Sequence, residues 1–444
     1  MKVKDILAFF GIKNNDNKEI YCVTDKSYYP KKNWIYFNLS SFENAKKYIQ
    51  EAKDNGAYLV LSKHLIDKAI YIENLEQKIN AFLVFFYKFK RKFKLIGITG
   101  TNGKSSLSNF LKQSLRMLDY NAKNIVTNKE NYSYLSKNTT PSSFELMNIF
   151  KSANKQKIDY LIMEVSSIGI KEGRVNDITF DYLFLTNLEK DHLDYHHSIE
   201  EYHQTKIDFL NKQKSIKFIP NNYIDKVKSK HIIEYKIVFA KSKYDLIIEN
   251  KYIDNVLFFK TNLVNLAYIY FFLKHLKVNL LLRLNILKRI KTFKGRNDVV
   301  NQNPLIVIDY AHTASSFENI LSECSLLFHR KMIIVFGAGG NREFDKREEY
   351  AKICNKYNSY AIVTNDNPRT EDPKTIALDI CKHLNHYEIE LDRKKAIKRA
   401  FEIYNDQSMI VILGKGNESY ITYKDYLEYH NDYDEVEKCI KNRM

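Results

Sequence analysis

Glycine is scarce in this chain, with 13 glycines among 444 residues. A chain with so little glycine is expected to keep it where the backbone needs a positive φ or where a ligand approaches the backbone closely. Ten of the 13 glycines lie in four short stretches, so these stretches predict the positions of binding sites. The densest stretch is Gly97-Ile-Thr-Gly-Thr-Asn-Gly-Lys-Ser-Ser106.

Cysteine and long apolar segments are also scarce. The five cysteines include no C-x-x-C pair, which argues against a disulfide scaffold and indicates buried or incidental thiols in a reducing compartment. No segment approaches about 18 uninterrupted apolar residues, and the apolar stretch near the N-terminus is too short for a signal peptide. We therefore expect a cytoplasmic protein with no membrane insertion.

Positive charge is abundant, with a formal net charge of +17 at pH 7. The lysines are spread along the whole chain, and the one dense run, Lys88–Lys94, precedes the glycine-rich stretch. Asparagine, isoleucine and tyrosine are abundant as well, a composition typical of an AT-rich genome. We therefore expect no nucleic-acid partner, and we interpret the charge as a solvated surface that attracts anionic small-molecule substrates.

The densest glycine stretch has the features of a phosphate-binding loop. The preceding segment, Phe93–Thr99, is apolar and β-branched like a buried strand, and apolar side chains recur at helical spacing after the loop. In such a unit the helix N-terminus holds polyphosphate, Lys104 reaches the β- and γ-phosphates, and Ser105 binds Mg²⁺. Ile98 stands where the strict G-x-x-x-x-G-K-[ST] template has its first glycine. The predicted ATP-binding residues of the loop are Gly100, Thr101, Asn102, Gly103, Lys104, Ser105 and Ser106.

Three successive α/β domains are predicted along the chain. Residues 1–90 form a small N-terminal α/β domain, residues 91–292 a central P-loop ATPase-like domain with a parallel sheet, and residues 293–444 a C-terminal Rossmann-like domain. Apolar strands alternating with helices predict parallel sheets covered on both faces. Strands of the third domain end directly in polar motifs, which is where ligands bind in open α/β sheets. Only the lysine-rich segment 211–260 is weakly patterned.

Two strand ends of the central domain carry candidate metal ligands. Glu164 lies at the end of one predicted strand, in the sheet that also carries the phosphate loop, where a carboxylate is well placed to bind Mg²⁺. The next strand leads into Asp191-His-Leu-Asp-Tyr-His196. Since neither a cysteine nor an H-E-x-x-H motif accompanies these histidines, zinc is disfavoured. We predict instead that a histidine assists a second Mg²⁺.

Seven motifs, in order along about residues 95–425, resemble those of the Mur ligase family, and within it the MurE type. The resemblance implies an ATP- and Mg²⁺-dependent amide ligase of peptidoglycan biosynthesis. Such an enzyme adds meso-diaminopimelate to UDP-N-acetylmuramoyl-L-alanyl-D-glutamate through an acyl phosphate. The motifs are Gly97–Ser106, Glu164-Val-Ser-Ser, Asp191-His-Leu-Asp-Tyr-His, Asp309-Tyr-Ala-His-Thr, Gly337-Ala-Gly-Gly-Asn-Arg342, Asp366-Asn-Pro-Arg and Gly414-Lys-Gly-Asn-Glu418.

The resemblance also implies the catalytic and metal-binding residues. Lys104 would stabilise the β- and γ-phosphates, Ser105 and Glu164 would hold one Mg²⁺, and His192 would help to hold the other. Lys206 stands where similar family members carry a carbamylated lysine that binds the second Mg²⁺. An ammonium group would repel a cation, whereas a carbamate supplies an oxygen ligand.

Contacts with the UDP-sugar-peptide are implied in three segments, with two departures from the family pattern. Glu172 stands where relatives often have glutamine, and Tyr28 stands in place of the arginine of the uridine-binding Asp-Ser-Arg signature. The implied contacts are Ser27, Thr139, Thr140, Ser166, Glu172 and Arg174.

Contacts with ATP are implied outside the loop as well. Asn265 resembles the family's adenine-side asparagine, and Arg296 and Asp309 resemble nucleotide contacts from the third domain. His312 follows in the same motif, and we treat it as a secondary candidate. Lys346-Arg347 fits the solvated start of a helix as well as it fits a functional site.

Arg369 indicates which amino acid is added. In the resembling family this arginine accompanies meso-diaminopimelate, whose second carboxylate a guanidinium binds in a bidentate manner, and lysine-adding relatives lack it. Asn417 and Asn365 depart from the usual histidine and acid, but both are neighbours of the implied contacts. The diaminopimelate contacts that the resemblance implies are Arg342, Asp366, Asn367, Arg369, Gly414 and Glu418, the last favouring an ammonium group.

Three other functions stay open at this point. An L-lysine-adding ligase is disfavoured by Arg369, and a folylpolyglutamate synthase would share the ATPase domain without the Asp-Asn-Pro-Arg pocket. A non-catalytic nucleotide-binding relative is disfavoured by the intact set Lys104, Ser105, Glu164, His192 and Lys206. We expect a monomer that acts on small molecules.

Overall fold

A computed structural model of the chain describes residues 1–29, 32–127, 132–191, 195–228, 232–235, 238–239, 246–248, 251–253, 259–292, 294–341 and 345–442. The chain forms two compact units, Met1–Lys104 with Leu115–Tyr235, and Ser105–Ser114 with Lys236–Met444. The domain boundaries near residues 90 and 292 remain predictions. Within the described ranges, no helix has both the length and the apolar character needed to cross a membrane.

Several helices begin at a polar side chain that accepts a hydrogen bond from the first turn, which stabilises the helix start. Ser142, Ser166, Ser198 and Thr313 cap four of them in this way. The helices are α1 Val3–Phe9, α2 Phe42–Asp54, α3 Leu75–Tyr87, α4 Lys104–Arg116, α5 Ser143–Lys155, α6 Ser167–Lys171, α7 Ile199–Lys212, α8 Lys260–His275, α9 Leu280–Arg289, α10 Ala314–Phe328, α11 Asp345–Lys356, α12 Pro373–Cys381, α13 Arg393–Ile403 and α14 Asp432–Lys441, with a 3-10 helix over Asn221–Lys226.

The strands are short, and many are buried along their whole length. They are β1 Cys22–Thr24, β2 Trp34–Asn38, β3 Leu59–Ser62, β4 Ile70–Tyr71, β5 Lys94–Thr99, β6 Ala122–Val126, β7 Ser133–Leu135, β8 Tyr160–Glu164, β9 Tyr182–Leu185, β10 Ile216–Pro220, β11 Ile232–Tyr235, β12 Val238–Phe239, β13 Leu246–Ile248, β14 Lys251–Ile253, β15 Asp298–Gln302, β16 Leu305–Asp309, β17 Lys331–Phe336, β18 Tyr360–Val363, β19 Tyr387–Ile389, β20 Ser408–Leu413, β21 Tyr420–Thr422 and β22 Leu427–Tyr429.

The N-terminal segment forms a four-stranded parallel sheet in the order β1-β2-β3-β4. All residues of β2 are buried, so its side chains pack on both faces of the sheet. On one face Phe37 contacts Phe82 of α3, with ring centroids 5.1 Å apart. On the other, Trp34 packs with Ile49 and Ala52 of α2.

A seven-stranded sheet in the order β11-β10-β9-β5-β8-β6-β7 forms the rest of the first unit. All of its pairs are parallel. Because parallel strands end at the same edge, the loops that follow β5, β8 and β9 meet there. These loops carry the phosphate loop, Ser166 and Asn187, so this edge positions the first group of predicted site residues.

The second unit is built on a six-stranded sheet in the order β15-β16-β20-β17-β18-β19. Alternate residues of its strands face opposite sides: Val307 and Ile334 pack with α10, α11 and α12, whereas Ile308 and Val335 pack with α13. This two-sided burial explains why the strands are continuous apolar runs. β15 pairs antiparallel with β16, unlike the parallel order of the others, because a tight turn joins the two strands directly. Two small antiparallel sheets, β12-β13-β14 and β21-β22, complete the described strands.

Most predicted elements are confirmed with shifts of a few residues. The strands predicted at 34–37, 305–309, 332–336 and 409–413 are β2, β16, β17 and β20. Helix α4 begins at Lys104, two residues before the predicted start, so Lys104 and Ser105 belong to its first turn. None of the five cysteines, all within the described residues, forms a disulfide, and Cys324, Cys354 and Cys381 are buried as expected.

Candidate active site

The phosphate loop in the first unit depends on glycine for its backbone conformation. Gly100 has a φ of +137°, and a Cβ atom there would lie 2.0 Å from Thr186 Oγ1. No other residue type fits at this position without a clash. Lys104 Nζ donates hydrogen bonds to the carbonyl oxygens of Gly100 (2.9 Å) and Thr101 (2.7 Å). The lysine is thus held at the loop that is predicted to bind the β- and γ-phosphates.

Residues after β9 hold the phosphate loop from the side. Asn187 Oδ1 accepts hydrogen bonds from the backbone N–H groups of Thr101 (3.2 Å) and Asn102 (2.8 Å). Glu189 accepts a hydrogen bond from Asn102 Nδ2 (2.7 Å), and Tyr202 donates one to Thr101 Oγ1 (3.2 Å). Sequence reasoning missed these supports, because their partners lie far away along the chain.

Lys206 lies on α7, and only 1 % of its surface is exposed. Its Nζ has no hydrogen-bond partner among the described residues and lies 3.5 Å from the centre of the Tyr202 ring. Burial, together with the nearby charge of Lys104, lowers the pKa of Lys206 to about 6, although Asp191 opposes this shift. The amine is therefore mostly neutral at pH 7, as a group that reacts with CO₂ must be.

The donors of the predicted metal site are only partly described. Glu164 closes β8 and is buried, with 8 % of its surface exposed. Ser105 lies in the first turn of α4. His192 falls outside the described residues, so its predicted role stays a prediction. Among the described residues, no group of three or more His, Cys, Asp or Glu side chains forms a ready-made metal site.

The predicted substrate contacts Thr140, Ser166, Glu172 and Arg174 are close together. Thr140 Oγ1 and Ser166 Oγ are 3.0 Å apart, and Thr140 Oγ1 also donates to the carbonyl oxygen of Glu164 (3.1 Å). Arg174 donates to the carbonyl oxygen of Thr140 (2.8 Å) and, through Nε, to Glu172 Oε2 (2.7 Å). Glu172 therefore orients Arg174. A glutamine at this position could also accept a hydrogen bond from Arg174, but it would carry no negative charge.

The remaining two substrate candidates have different surroundings. Thr139 is exposed beside Thr140. Ser27 lies in the loop after β1, where its carbonyl oxygen accepts a hydrogen bond from Asn55 (3.2 Å). Asp25 in the same loop accepts a hydrogen bond from Ser142 Oγ (3.0 Å), which ties this loop to the start of α5.

In the second unit, Asp309 and Arg296 form one local arrangement. Asp309, at the end of β16, accepts hydrogen bonds from the backbone N–H groups of Asn297 (2.6 Å) and Ala311 (2.7 Å). Burial raises the pKa of Asp309, although the charge of Arg296 opposes the shift. The carboxyl group thus fixes the turn that presents Arg296. Asn265 is buried on α8.

The predicted amino-acid pocket lies at the ends of β18 and β20. Arg369 has a left-handed backbone conformation, with a φ of +55°. Its backbone N–H donates to the carbonyl oxygen of Thr422 (3.0 Å), and its Nη1 donates to that of Gly340 (2.7 Å). Gly414 N donates to the carbonyl oxygen of Asp309 (3.2 Å), which brings this loop to the end of β16.

Both acidic and basic side chains set the charge of this pocket. Burial raises the pKa of Asp366, although the neighbouring Lys415 and Arg393 oppose the shift. Glu418 is also desolvated, but the charge of Lys415 and its hydrogen bond to Glu418 hold the pKa below its usual value. Lys415 Nζ lies 2.7 Å from Glu418 Oε2 and 3.0 Å from Asn367 Oδ1. Sequence reasoning did not single out Lys415, whose place in the Gly414–Glu418 motif was the available signal.

A buried ion pair holds the two loops of the pocket, which follow β18 and β20. The side chains of Arg393 and Asp432 are fully buried and form two hydrogen bonds of 2.8 Å. Arg393 also donates to the carbonyl oxygens of Asn365 (3.3 Å) and Leu413 (2.9 Å), which immediately precede Asp366 and Gly414. His430 Nε2 lies 2.7 Å from Asp432 Oδ1. This cluster was missed because no local pattern marks it.

Three further candidate residues from the sequence are Arg342, Arg347 and His312. Arg342 lies outside the described residues, so its predicted diaminopimelate contact stays a prediction. The interpretation of Arg347 as part of a solvated helix start is wrong, because Arg347 is buried and paired with Glu371 and Asp379. His312 is exposed, and its Nδ1 lies 2.9 Å from the carbonyl oxygen of Tyr310.

Comparison with known families and proteins covers almost the whole chain. Residues 98–269 match the Mur ligase middle domain, and residues 295–416 match the "Mur ligase, glutamate ligase domain". A protein of Clostridium botulinum named "UDP-N-acetylmuramoyl-L-alanyl-D-glutamate--2,6-diaminopimelate ligase" is 32 % identical over 98 % of both chains. A protein of the same name from Wigglesworthia glossinidia brevipalpis is 31 % identical over 88 % of this chain and 89 % of its own.

Solved structures share the fold. A structure with the same ligase name superimposes with a TM-score of 0.65 at 22 % identity, covering 100 % of this chain and 99 % of the other. The MurF ligase of Thermotoga maritima in complex with ADP gives a TM-score of 0.63 at 15 % identity, covering 95 % and 98 % of the two chains. Folylpolyglutamate synthase of Thermotoga maritima gives 0.56 at 17 % identity, but covers only 76 % of this chain and 90 % of its own. The α/β architecture is thus that of the three-domain Mur ligases.

Proposed function

Because this chain belongs to the Mur ligase family, we propose that it is an ATP-dependent ligase that adds meso-diaminopimelate to UDP-N-acetylmuramoyl-L-alanyl-D-glutamate in peptidoglycan biosynthesis. The names of the curated relatives and their near-complete coverage support this proposal. The smaller share of this chain covered by folylpolyglutamate synthase, 76 %, argues against that alternative.

The observation that carries the choice of amino acid is the setting of Arg369. Its guanidinium is held at 2.7 Å from the carbonyl oxygen of Gly340, and the loop that carries it also carries Asp366 and Asn367, whose side-chain amide donates to Glu418. meso-Diaminopimelate has a second carboxylate, which L-lysine lacks, and a guanidinium binds a carboxylate through two parallel hydrogen bonds. The buried Asp366 and the partly exposed Glu418 suit the ammonium group beside it. The pocket thus offers a guanidinium for the second carboxylate of diaminopimelate and acidic side chains for the neighbouring ammonium group.

Two steps make the new amide bond. The D-glutamate carboxylate first attacks the γ-phosphorus of ATP, which forms an acyl phosphate and releases ADP. The amine of diaminopimelate then attacks the acyl carbon, the C–O bond to phosphate breaks, and the nitrogen loses a proton. In the first step Lys104 would turn from the Gly100 and Thr101 carbonyls to the phosphates, where its charge stabilises the transferred group.

The described donors fit a magnesium-dependent enzyme. Lys206 is buried, has no hydrogen-bond partner among the described residues and is mostly neutral at pH 7, as expected of a lysine that is carbamylated. Its neutral amine adds to CO₂, forming an N–C bond and releasing one proton, which leaves an oxygen ligand on the side chain. Ser105, Glu164, His192 and the carbamate of Lys206 would hold Mg²⁺, which when bound neutralises phosphate charge.

The decisive experiment is an assay of phosphate release by the purified protein. ATP, UDP-N-acetylmuramoyl-dipeptide and either meso-diaminopimelate or L-lysine are supplied together, and each is also omitted in turn. We expect release only when both the dipeptide and diaminopimelate are present. Equal rates with L-lysine would overturn the specificity, and no release with either amino acid would favour a non-catalytic nucleotide-binding protein.

A pair of variants sharpens the specificity test. Arg369→Ala should raise KM for diaminopimelate by at least about tenfold, since a charge-assisted hydrogen-bonded contact is lost, and should leave KM for ATP unchanged. Arg399→Ala is the matched control, because Arg399 is a half-exposed arginine of the same unit that pairs with Glu388 and Glu402. The same effect in both variants would contradict the role of Arg369.

We also propose that the protein acts as a cytoplasmic monomer on small-molecule substrates and ATP. The absence of a membrane-crossing helix within the described residues is compatible with this location. Size-exclusion chromatography with light scattering tests the oligomeric state.

A further inference from the structure

Three segments of the second unit meet at Tyr310, the residue that follows β16. Tyr310 N donates a hydrogen bond to the carbonyl oxygen of Gly295 (2.9 Å), which ties it to the turn that carries Arg296. A Cβ atom at Gly416 would lie 2.8 Å from Tyr310 Cβ and 2.9 Å from the Gly295 carbonyl oxygen. A Cβ atom at Gly295 would lie 2.5 Å from the backbone nitrogen of Asn417. The absence of side chains at these two glycines therefore lets the loop of Glu418 pack directly against Tyr310 and the Arg296 turn.

The side chain of Tyr310 contacts a residue of each predicted binding site. Its hydroxyl group donates a 2.9 Å hydrogen bond to Glu418 Oε1, and its ring lies 4.5 Å from the guanidinium carbon of Arg296. Burial raises the pKa of Tyr310, and the negative charge of Glu418 raises it further. The phenol therefore stays protonated at neutral pH and can act only as a donor to the carboxylate.

We propose that Tyr310 is a positioning residue that fixes Glu418 for the incoming diamino acid through its hydroxyl group, and Arg296 for the nucleotide through its ring. This inference rests on the proposed function and deepens it, because it assigns one side chain to both substrate sites. Tyr310 was not among the predicted site residues.

The surroundings of Glu418 explain why the hydroxyl group matters. Oε2 is held by Lys415 Nζ (2.7 Å) and Asn367 Nδ2 (3.3 Å), whereas the described donor to Oε1 is Tyr310. Without the phenol, the carboxylate keeps its charge and its salt bridge but loses the contact that sets its rotation. The ring contact with Arg296 is a separate interaction of the cation–π type. The two functions of Tyr310 can therefore be removed one at a time.

The test compares Tyr310→Phe with Tyr310→Leu. Tyr310→Phe keeps the ring and should raise KM for diaminopimelate about tenfold, as expected for a lost charge-assisted hydrogen bond, with KM for ATP within twofold of wild type. Tyr310→Leu removes the ring as well and should raise both KM values. Tyr357→Phe is the matched control, because it also removes a phenol–carboxylate hydrogen bond in the same unit, to Glu318 at 2.7 Å, outside the pocket. It should leave both KM values unchanged.

A double-variant cycle shows whether Tyr310 acts through Glu418. In the Glu418→Gln background, Tyr310→Phe should raise KM for diaminopimelate less than threefold further, because the partner carboxylate is already gone. A full tenfold further increase, unchanged kinetics in Tyr310→Phe, or equal increases for both substrates would each overturn the inference. A thermal melt of each variant shows whether the substitution unfolds the protein. Unfolding would lower the amount of active enzyme and would not raise KM for diaminopimelate while leaving KM for ATP unchanged. A wild-type protein that releases no phosphate with diaminopimelate would instead contradict the proposed function.

Discussion

Lys206 has surroundings that differ from those of an ordinary surface lysine. Its amine is buried without a hydrogen-bond partner among the described residues, and its pKa is lowered to about 6. If this amine becomes the carbamate ligand, Lys206→Ala should lower kcat at least about 100-fold, since a group that stabilises charge during phosphate transfer is lost. ATP binding, measured by calorimetry, should remain detectable because Lys104 and the phosphate loop are intact.

Lys212→Ala is the control for this prediction. Lys212 is exposed in the last turn of the same helix, so its removal tests the loss of a lysine from α7 without touching the buried site. It should keep wild-type kcat. Full activity of Lys206→Ala would remove the carbamate proposal, and loss of ATP binding in that variant would indicate that the substitution disturbs the phosphate loop instead.

At the scale of elements, the pair Arg393–Asp432 joins the start of α13 to the start of α14. It also holds the backbone after β18 and β20 through the carbonyl oxygens of Asn365 and Leu413. Although burial alone opposes ionisation, Arg393 and His430 hold the pKa of Asp432 well below its usual value. At acidic pH the Asp432 carboxyl group therefore binds fewer protons in the folded protein than in the unfolded chain. The contribution of Asp432 to stability is present above the ordinary aspartate pKa and is lost as the pH falls below it.

Asp432→Asn should therefore destabilise the protein at neutral pH. It should also make the free energy of unfolding depend less on pH in the acidic range. We expect a loss of about 3–5 kcal/mol in the free energy of unfolding at pH 7, because Arg393 is left buried without a charged partner. The difference from wild type should shrink below about pH 4, where the unfolded-state carboxyl is protonated. Urea denaturation at several pH values measures this. Asp434→Asn, on the exposed side of α14, is the control, and a pH-independent difference for Asp432→Asn would contradict the argument.

The part of the site that could be predicted from the sequence is the part encoded by short segments. The phosphate loop follows an apolar strand and opens a helix, so Gly100 and Lys104 were located from their immediate neighbours. The residues that support the phosphate loop, and those that support the predicted amino-acid pocket, could not be found in this way. Asn187 reaches a loop 85 residues earlier in the chain, and Arg393 pairs with an acid 39 residues later. Such contacts depend on how strands are ordered in a sheet, which no local pattern specifies.

The fold shows the same division between local and long-range information. The continuous apolar runs of β16, β17 and β20 predicted a buried sheet, and these strands are indeed buried on both faces. Their order in the sheet, with β20 between β16 and β17, brings the Asp309 and Gly414 loops together. That adjacency creates the Tyr310 contact with Glu418, although 108 residues separate the two. The predicted amino-acid pocket thus depends on the order of the strands in the sheet.

For the whole molecule, the net charge of +17 has a consequence for substrate capture. ATP and the UDP-sugar-peptide carry several negative charges, so a positive protein attracts both at long range. The Debye length falls from about 30 Å at 0.01 M salt to about 8 Å at 0.15 M. We therefore expect kcat/KM for both anionic substrates to fall as the ionic strength rises across this range, as measured with NaCl under steady-state conditions.

Diaminopimelate supplies an internal control for this charge argument. At neutral pH it carries two ammonium and two carboxylate groups and has no net charge, so the long-range field of the protein exerts little net attraction on it. Its kcat/KM, measured with the other two substrates saturating, should change much less with salt than that of ATP. An equal response of all three substrates would mean that salt acts on the enzyme itself, and a flat response for ATP would mean that the positive charge lies too far from the phosphate loop to attract it. Either result would contradict electrostatic capture, since attraction at long range must scale with the charge of the substrate.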